Sequence, residues 1–225
     1  LLGIESNSSP TPDWNDWELK AVTTKKYPEP HPSSRVTLLT SEPDGGLYVS
    51  DLNNFMLNYT HKKGDNERYF TGPWHMKKGV FHGLQLSYDD QESKIVLMDT
   101  SPNNVEVASW DLAGIINHWK SKHQHAVFVP YTKNSDKQVK FSPLVCVGEG
   151  ATFELFFAAL RNGTISLDPG VQFKYLEETE KWKVHKRTQW RTILKKLPTI
   201  YSLFSFIDVT NGQAFKPSLR GWEKK

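Results

Sequence analysis

Along this chain the spacing of apolar residues changes period several times, and that restricts the fold more than any other feature. Leu112, Ile115, Ile116 and Trp119 recur at helical spacing within residues 109–122, and Ser109 is suited to cap that helix. Residues 13–24 instead alternate apolar and polar side chains, as a half-buried strand does. Further strands are expected at 35–39, at 80–88 and 94–98 as a hairpin around the turn 89–93, and at 126–131, 139–147 and 164–167. A second helix is expected at 151–161, stopped near Gly163, while 51–59 is ambiguous between a short helix and a strand. Residues 27–34 hold several prolines and read as an irregular connection. Strands and helices interleave without a strict βαβ rhythm. The expected fold class is therefore α/β in the broad sense (α+β), a mixed central β-sheet flanked by helices.

At 225 residues and 37% hydrophobic, the chain is long enough to bury a sizeable core, expected as one domain over 1–210 with a tail at 211–225, where periodicity is lost. The net charge of +3 permits a polyanionic partner without the excess of a histone, so the placement of charge matters more than its total. A single cysteine, Cys146, excludes an internal disulfide; it sits in the apolar run 144–147 and reads as a buried, inert thiol, which fits a reducing cytoplasm. No apolar stretch approaches the roughly 20 residues needed to span a bilayer, and the first residues lack the order of a signal peptide, so no membrane partner is expected. Leu1-Leu2-Gly3-Ile4 reads as the end of a helix with Gly3 at its cap, so residues upstream of Leu1 are expected.

The stretch Pro12-Asp13-Trp14-Asn15-Asp16-Trp17-Glu18-Leu19-Lys20 carries the clearest chemistry. On a strand, residues two apart share a face, so Glu18 and Lys20 project together while Trp17, Leu19 and Ala21 are expected to face the core. Asp13, at a bend before the strand, is placed to converge with Glu18 on one cation. Two carboxylates with a carbonyl and waters suit magnesium, a hard ion that keeps part of its hydration and accepts phosphate oxygens. Lys20 beside them would orient the attacking water and offset charge in the transition state. The bland alternative is a solvated strand face with alternating charges.

Residues 181–196 (KWKVHKRTQWRTILKK) hold seven lysines and arginines and no acid. Such a segment supplies phosphate neutralisation, and His185, Lys186, Arg187, Gln189 and Arg191 are the side-chain types that read guanine and adenine edges. A second contact loop is expected at 72–79, where His75 and Lys77 can donate to bases or phosphates. A solvated basic surface is the competing reading of both. His118, His123 and His125 fit no zinc template with one cysteine available.

These residues resemble a known family. Leu1-Leu2-Gly3-Ile4, then Pro12-Asp13-Trp14 and Trp17-Glu18-Leu19-Lys20, are similar to the catalytic segment shared by the MutH and Sau3AI nucleases and the MvaI/BcnI restriction endonucleases. The four residues between Asp13 and Glu18 look like the MvaI/BcnI spacing, MutH having a longer gap. The similarity continues in order and residue type through Phe141-Ser142-Pro143-Leu144, the helix with Phe153, Leu155 and Phe156, Asn162-Gly163-Thr164-Ile165, and Thr188, Trp190 and Arg191.

The resemblance implies a PD-(D/E)xK fold and magnesium-dependent hydrolysis of double-stranded DNA at a short site, by a monomer that cuts one strand at a time. It implies metal binding by Asp13 and Glu18, a catalytic Lys20, a catalytic core around 1–150 and DNA recognition within about 165–200, with base reading from the loop 185–191. The chain lacks the Asn-His-Gly sequence associated with that loop. The helical glutamate of related enzymes would precede Leu1, and Glu5 lies too late to replace it. Two other readings compete: a MutH-like nicking repair endonuclease, and a DNA-binding module that kept the fold and lost catalysis.

Overall fold

A computed structural model describes residues 12–25, 27–136 and 138–214. The helix end expected at 1–4, and all but residues 211–214 of the expected tail, lie outside them. From the amino end the chain forms β1 (Trp17–Thr23), β2 (Arg35–Thr40), α1 (Leu47–Ser50), α2 (Leu52–Tyr59), β3 (His61–Lys62), β4 (Glu67–Thr71) and β5 (Val80–Phe81). Then follow β6 (Leu84–Asp89), β7 (Lys94–Asp99), β8 (Glu106–Asp111), α3 (Leu112–His123), β9 (His125–Lys133), β10 (Val139–Phe141), β11 (Leu144–Glu149) and α4 (Phe153–Arg161). The last elements are β12 (Ser166–Leu176), β13 (Lys181–His185), β14 (Thr188–Ile193), β15 (Leu203–Asp208) and β16 (Gln213–Ala214). The described residues build two compact units, one within 12–37, 116–159 and 192–214 and the other within 38–115 and 160–191.

The sheet of the first unit runs β1-β9-β11-β15-β16, with β10 added on β9. β1 lies parallel to β9 and the other pairings are antiparallel, so the sheet is mixed, as the interleaved periods predict. Its core gathers around Trp119 of α3, which stacks on His123 with centroids 4.3 Å apart and lies 5.1 Å from Phe156 of α4 and 5.6 Å from Tyr201. Cys146 is fully buried in β11, and burial pushes its thiol far above the ordinary range, which makes it the inert core residue expected.

The second unit holds an antiparallel meander, β5-β6-β7-β8, and a sheet ordered β2-β14-β12-β4-β3 with β13 also on β12. Phe55 of α2 packs 5.0 Å from Phe70 and 6.3 Å from Phe173, and Trp110 meets Trp190 edge-on at 5.4 Å. The ambiguous stretch 51–59 is helical, because the Asp51 side chain accepts the Asn54 N–H at 3.0 Å and buries Phe55 and Met56 on one face. Its far end is closed by Arg68, a buried β4 residue whose Nε donates to the Met56 carbonyl (3.1 Å) and the Thr60 hydroxyl (2.7 Å). The Arg68 Nη2 donates to the carbonyls of Leu57 (2.9 Å) and Thr60 (3.1 Å).

Among the boundaries that differ from the sequence reading, four have a local reason. Helix α3 starts at Leu112, because Asp111 rather than Ser109 supplies the cap, accepting the Gly114 N–H at 2.8 Å, while Ser109 is buried inside β8. The strand expected at 80–88 is interrupted at His82 and Gly83, both at positive φ. That expected at 139–147 is split at Ser142-Pro143, where proline has no N–H to give. Finally, the short strand at 164–167 is the start of an eleven-residue β12 that continues through Pro169-Gly170, a pair that punctuates sequence but not this strand, since Gly170 N–H still bonds the Arg187 carbonyl at 2.6 Å. Among the described residues no helix is long and apolar enough to cross a membrane.

Candidate active site

Asn15 and Asp16 form a tight turn in which Trp14 and Trp17 exchange backbone hydrogen bonds of 3.0 and 2.8 Å. Asn15 sits at φ 52°, a left-handed conformation that asparagine tolerates better than most residues. The turn folds Asp13 back along the strand that follows, and its Oδ2 accepts the Leu19 N–H at 3.0 Å. The bend expected before β1 thus brings the Asp13 carboxylate beside the segment that carries Glu18.

On β1 the burial pattern reverses the expected one. Glu18 and Val22 are the buried positions, Trp17 and Leu19 are half-buried and Ala21 is exposed. The reason lies outside the strand: the last turn of α3 reaches the Glu18 face, so the polar face is the covered one. Glu18 is 2% exposed, and its Oε1 lies 2.5 Å from Lys20 Nζ and 3.5 Å from Lys122 Nζ. Its Oε2 is also buried and, among the described residues, has no hydrogen-bond partner. An orphaned carboxylate oxygen in such a position is costly unless something else satisfies it.

Two neighbours complete this corner. His118, one turn before Lys122 on α3, is half-buried, and its imidazole is held below the ordinary value first by desolvation, then by Lys122 and Lys20, with Glu18 acting the other way. Burial, then the Glu18 charge, keeps the Tyr201 phenol protonated well beyond its ordinary range, and its hydroxyl shares a 2.6 Å hydrogen bond with His123 Nδ1. On the outer edge, His125 Nδ1 lies 3.0 Å from Asp16 Oδ2, close but outside hydrogen-bond alignment.

Among the described residues no three of His, Cys, Asp and Glu gather into a metal-holding group. Among the same residues the buried Glu18 Oε2 is left as an oxygen donor of the kind a divalent cation takes. Such a donor is poor for zinc and good for a hard, hydrated ion.

Residues 181–191 of the basic segment lie in the second unit. β13 and β14 pair with consecutive halves of β12 in one continuous register, His185 opposite Gln172 and Gln189 opposite Asp168. Strand alternation therefore sets Lys181, Lys183, His185, Gln189 and Arg191 on one face, together with Gln172 and Lys174 of β12. His185, Lys186 and Arg187 are exposed, the last two at the break between β13 and β14. Gln189 is only 8% exposed, and Arg191 Nη1 is held by Asp168 Oδ2 at 2.8 Å. Lys77 is exposed, and the half-buried His75 lies with Nδ1 3.2 Å from the carbonyl of Gly163, whose positive φ ends the turn after α4.

Sequence reasoning missed Lys122, His118, Lys174 and Asp168. For Lys122 the only available signal was its place four residues after His118 on the polar side of an amphipathic helix, and nothing in that spacing says which strand the helix covers.

Comparison with known proteins bears on this geometry. Residues 1–201 match the family model described as the MvaI/BcnI restriction endonuclease family. Among solved structures, one titled "Restriction endonuclease MvaI-cognate DNA substrate complex" is similar with a TM-score of 0.70 at 15% identity, covering 90% of this chain and 82% of that one. Another, "Restriction endonuclease MvaI in the absence of DNA", gives a TM-score of 0.58 at 18% identity over 87% of this chain and 80% of that one. At such identities the likeness speaks for the fold. No curated protein sequence matches.

Proposed function

The chain belongs to the MvaI/BcnI restriction endonuclease family, and on that premise we propose that it is a type II site-specific endonuclease that hydrolyses phosphodiester bonds of duplex DNA with Mg2+, as a monomer on its site. The carrying observation is the buried Glu18 Oε2, unpartnered among the described residues, beside an ammonium group on the same carboxylate. A carboxylate kept dry and half-satisfied costs stability, and such cost is characteristic of sites built for a ligand.

Asp13 and Glu18 would hold the cation through Oδ1 and Oε2, the oxygens not engaged by Leu19 and the lysines. When bound, the cation supplies Lewis-acid activation of the phosphodiester. Lys20 is 20% exposed and so is open to a water molecule, which it would orient toward phosphorus. In the second unit, Lys174, Lys181 and Lys183 would neutralise phosphates, while His185, Lys186, Arg187, Gln189 and Arg191, with His75 and Lys77, would contact bases or backbone. The Asp168 carboxylate engages Arg191 Nη1, which would limit the orientations its guanidinium can present to a base edge.

The test is digestion of unmethylated plasmid and phage DNA by the purified protein alone, with Mg2+ or with EDTA, followed by sequencing of the ends. Discrete fragments with one common end sequence, lost in EDTA and in Asp13→Ala or Lys20→Ala while DNA retention survives, support the proposal. Binding without cutting by the intact chain would leave a DNA-binding module instead. Nicking that requires an added mismatch-repair protein would favour the MutH-like reading.

A further inference from the structure

One positive charge next to a buried glutamate needs no explanation beyond pairing, but this glutamate has two. Lys20 already occupies Glu18 Oε1 at 2.5 Å, and Lys122 reaches the same oxygen at 3.5 Å, leaving Oε2 bare. A carboxylate that needed only compensation would take one ammonium on each oxygen. Here both approach Oε1, and among the described residues Oε2 is left without a hydrogen-bond partner.

Lys122 is also held unusually for a lysine. Long cationic side chains at a helix end normally extend into water, and cations in the last turn of α3, where Lys120 and His123 also stand, are ordinary complements of the helix dipole. The Lys122 side chain is nevertheless only 15% exposed and points to Glu18. The helix end that delivers it is rigid, because His123 is fully buried, stacked on Trp119 and hydrogen-bonded to Tyr201. Such a fixed ammonium costs little reorganisation when charge develops beside it.

Building on the nuclease reading, we propose that Lys122 is a further catalytic residue: its ammonium contacts a non-bridging oxygen of the scissile phosphate and offsets the charge that grows there, leaving Lys20 to the attacking water. In hydrolysis the water oxygen bonds to phosphorus, the bond from phosphorus to the leaving sugar oxygen breaks, and that oxygen gains a proton while the water loses one. Lys122 keeps its three protons throughout and acts only by charge and hydrogen bonding.

This role and a merely structural one predict opposite signs in a measurement that needs no DNA. If Lys122 only props Glu18 in place, Lys122→Met disorders the carboxylate and weakens Mn2+ binding by the free protein. If it is a charge kept for phosphate, it opposes the cation until DNA arrives, and Lys122→Met tightens Mn2+ binding by about fivefold or more, the effect of deleting a neighbouring unit charge. The experiment pairs Mn2+ titration calorimetry of the full chain with single-turnover cleavage of plasmid DNA by wild type, Lys122→Met and Lys122→Arg. Expected are tighter Mn2+ binding with a cleavage rate reduced about 10²–10³-fold in Lys122→Met, and partial recovery of the rate in Lys122→Arg. Weaker Mn2+ binding, or a Lys122→Met rate equal to wild type, overturns the assignment. Absence of cutting by wild type would instead defeat the nuclease reading, and weaker Mn2+ binding by Lys122→Met would still mark Lys122 as a support for Glu18.

Discussion

If one carboxylate is shared by two ammonium groups, stability should fail cooperatively when both are removed. Coulomb energy falls as the inverse of distance, so Lys122 at 3.5 Å supplies about 70% of the attraction that Lys20 supplies at 2.5 Å. Lys20→Met or Lys122→Met, which keep the apolar stem, therefore leave Glu18 with a partner. Each single change should cost about 1–2 kcal/mol, below the figure for stranding a buried charge. The double variant leaves a carboxylate that is 2% exposed with no cation and should cost about 3–5 kcal/mol. At the midpoints of these ranges the coupling in the double-mutant cycle is about 1 kcal/mol. Urea unfolding in EDTA, followed by tryptophan fluorescence, measures all four proteins; because the charges are largely buried, 1 M salt should reduce the coupling only modestly. Costs that add within about 0.5 kcal/mol would show that the two lysines do not share the carboxylate.

Other consequences lie elsewhere in the fold. Arg68→Met strips the donors from the carbonyls of Met56, Leu57 and Thr60 and should cost about 2–4 kcal/mol in thermal unfolding, with Arg68→Lys recovering only part because an ammonium cannot fork. His118 has a folded-state pKa depressed below the ordinary 6.5, so the folded form resists protonation more than the unfolded chain. Its contribution is intact above pH 6.5 and is lost as pH falls through the lower folded value, and His118→Gln should flatten that part of the stability-versus-pH curve. If the exposed face of β12 and β13 holds phosphates, Lys174→Ala and Lys183→Ala should each lower the salt slope of duplex retention by about one, and an unchanged slope would remove them from the interface.

Much of the candidate site is legible in residues 12–20. Asp13, Glu18 and Lys20 lie close along the chain, and short-range rules suffice: an asparagine that tolerates a left-handed turn, and a strand whose alternate residues share a face. The same rules deliver the helix at 112–123, the hairpin of β6 and β7 and the buried thiol of Cys146. They fail where partners are distant in sequence. Which face of β1 is buried depended on α3, about a hundred residues away, so the alternation of Trp17, Leu19 and Ala21 pointed to the wrong side. Similarly, Gln189 and Arg191 read as free basic-segment side chains until Asp168 of β12 was set beside them.

Local chemistry in the sequence thus determined the types of the elements, the carboxylate and lysine that stand together at β1, and the family to which the chain belongs. Only the tertiary structure decided that Glu18 is dry, that one of its oxygens is bare and that a second lysine faces it. The physical reason is range. Turn and strand preferences act within a few residues, whereas burial and charge balance are set by whatever packs across the space, and that is known only once the chain has folded.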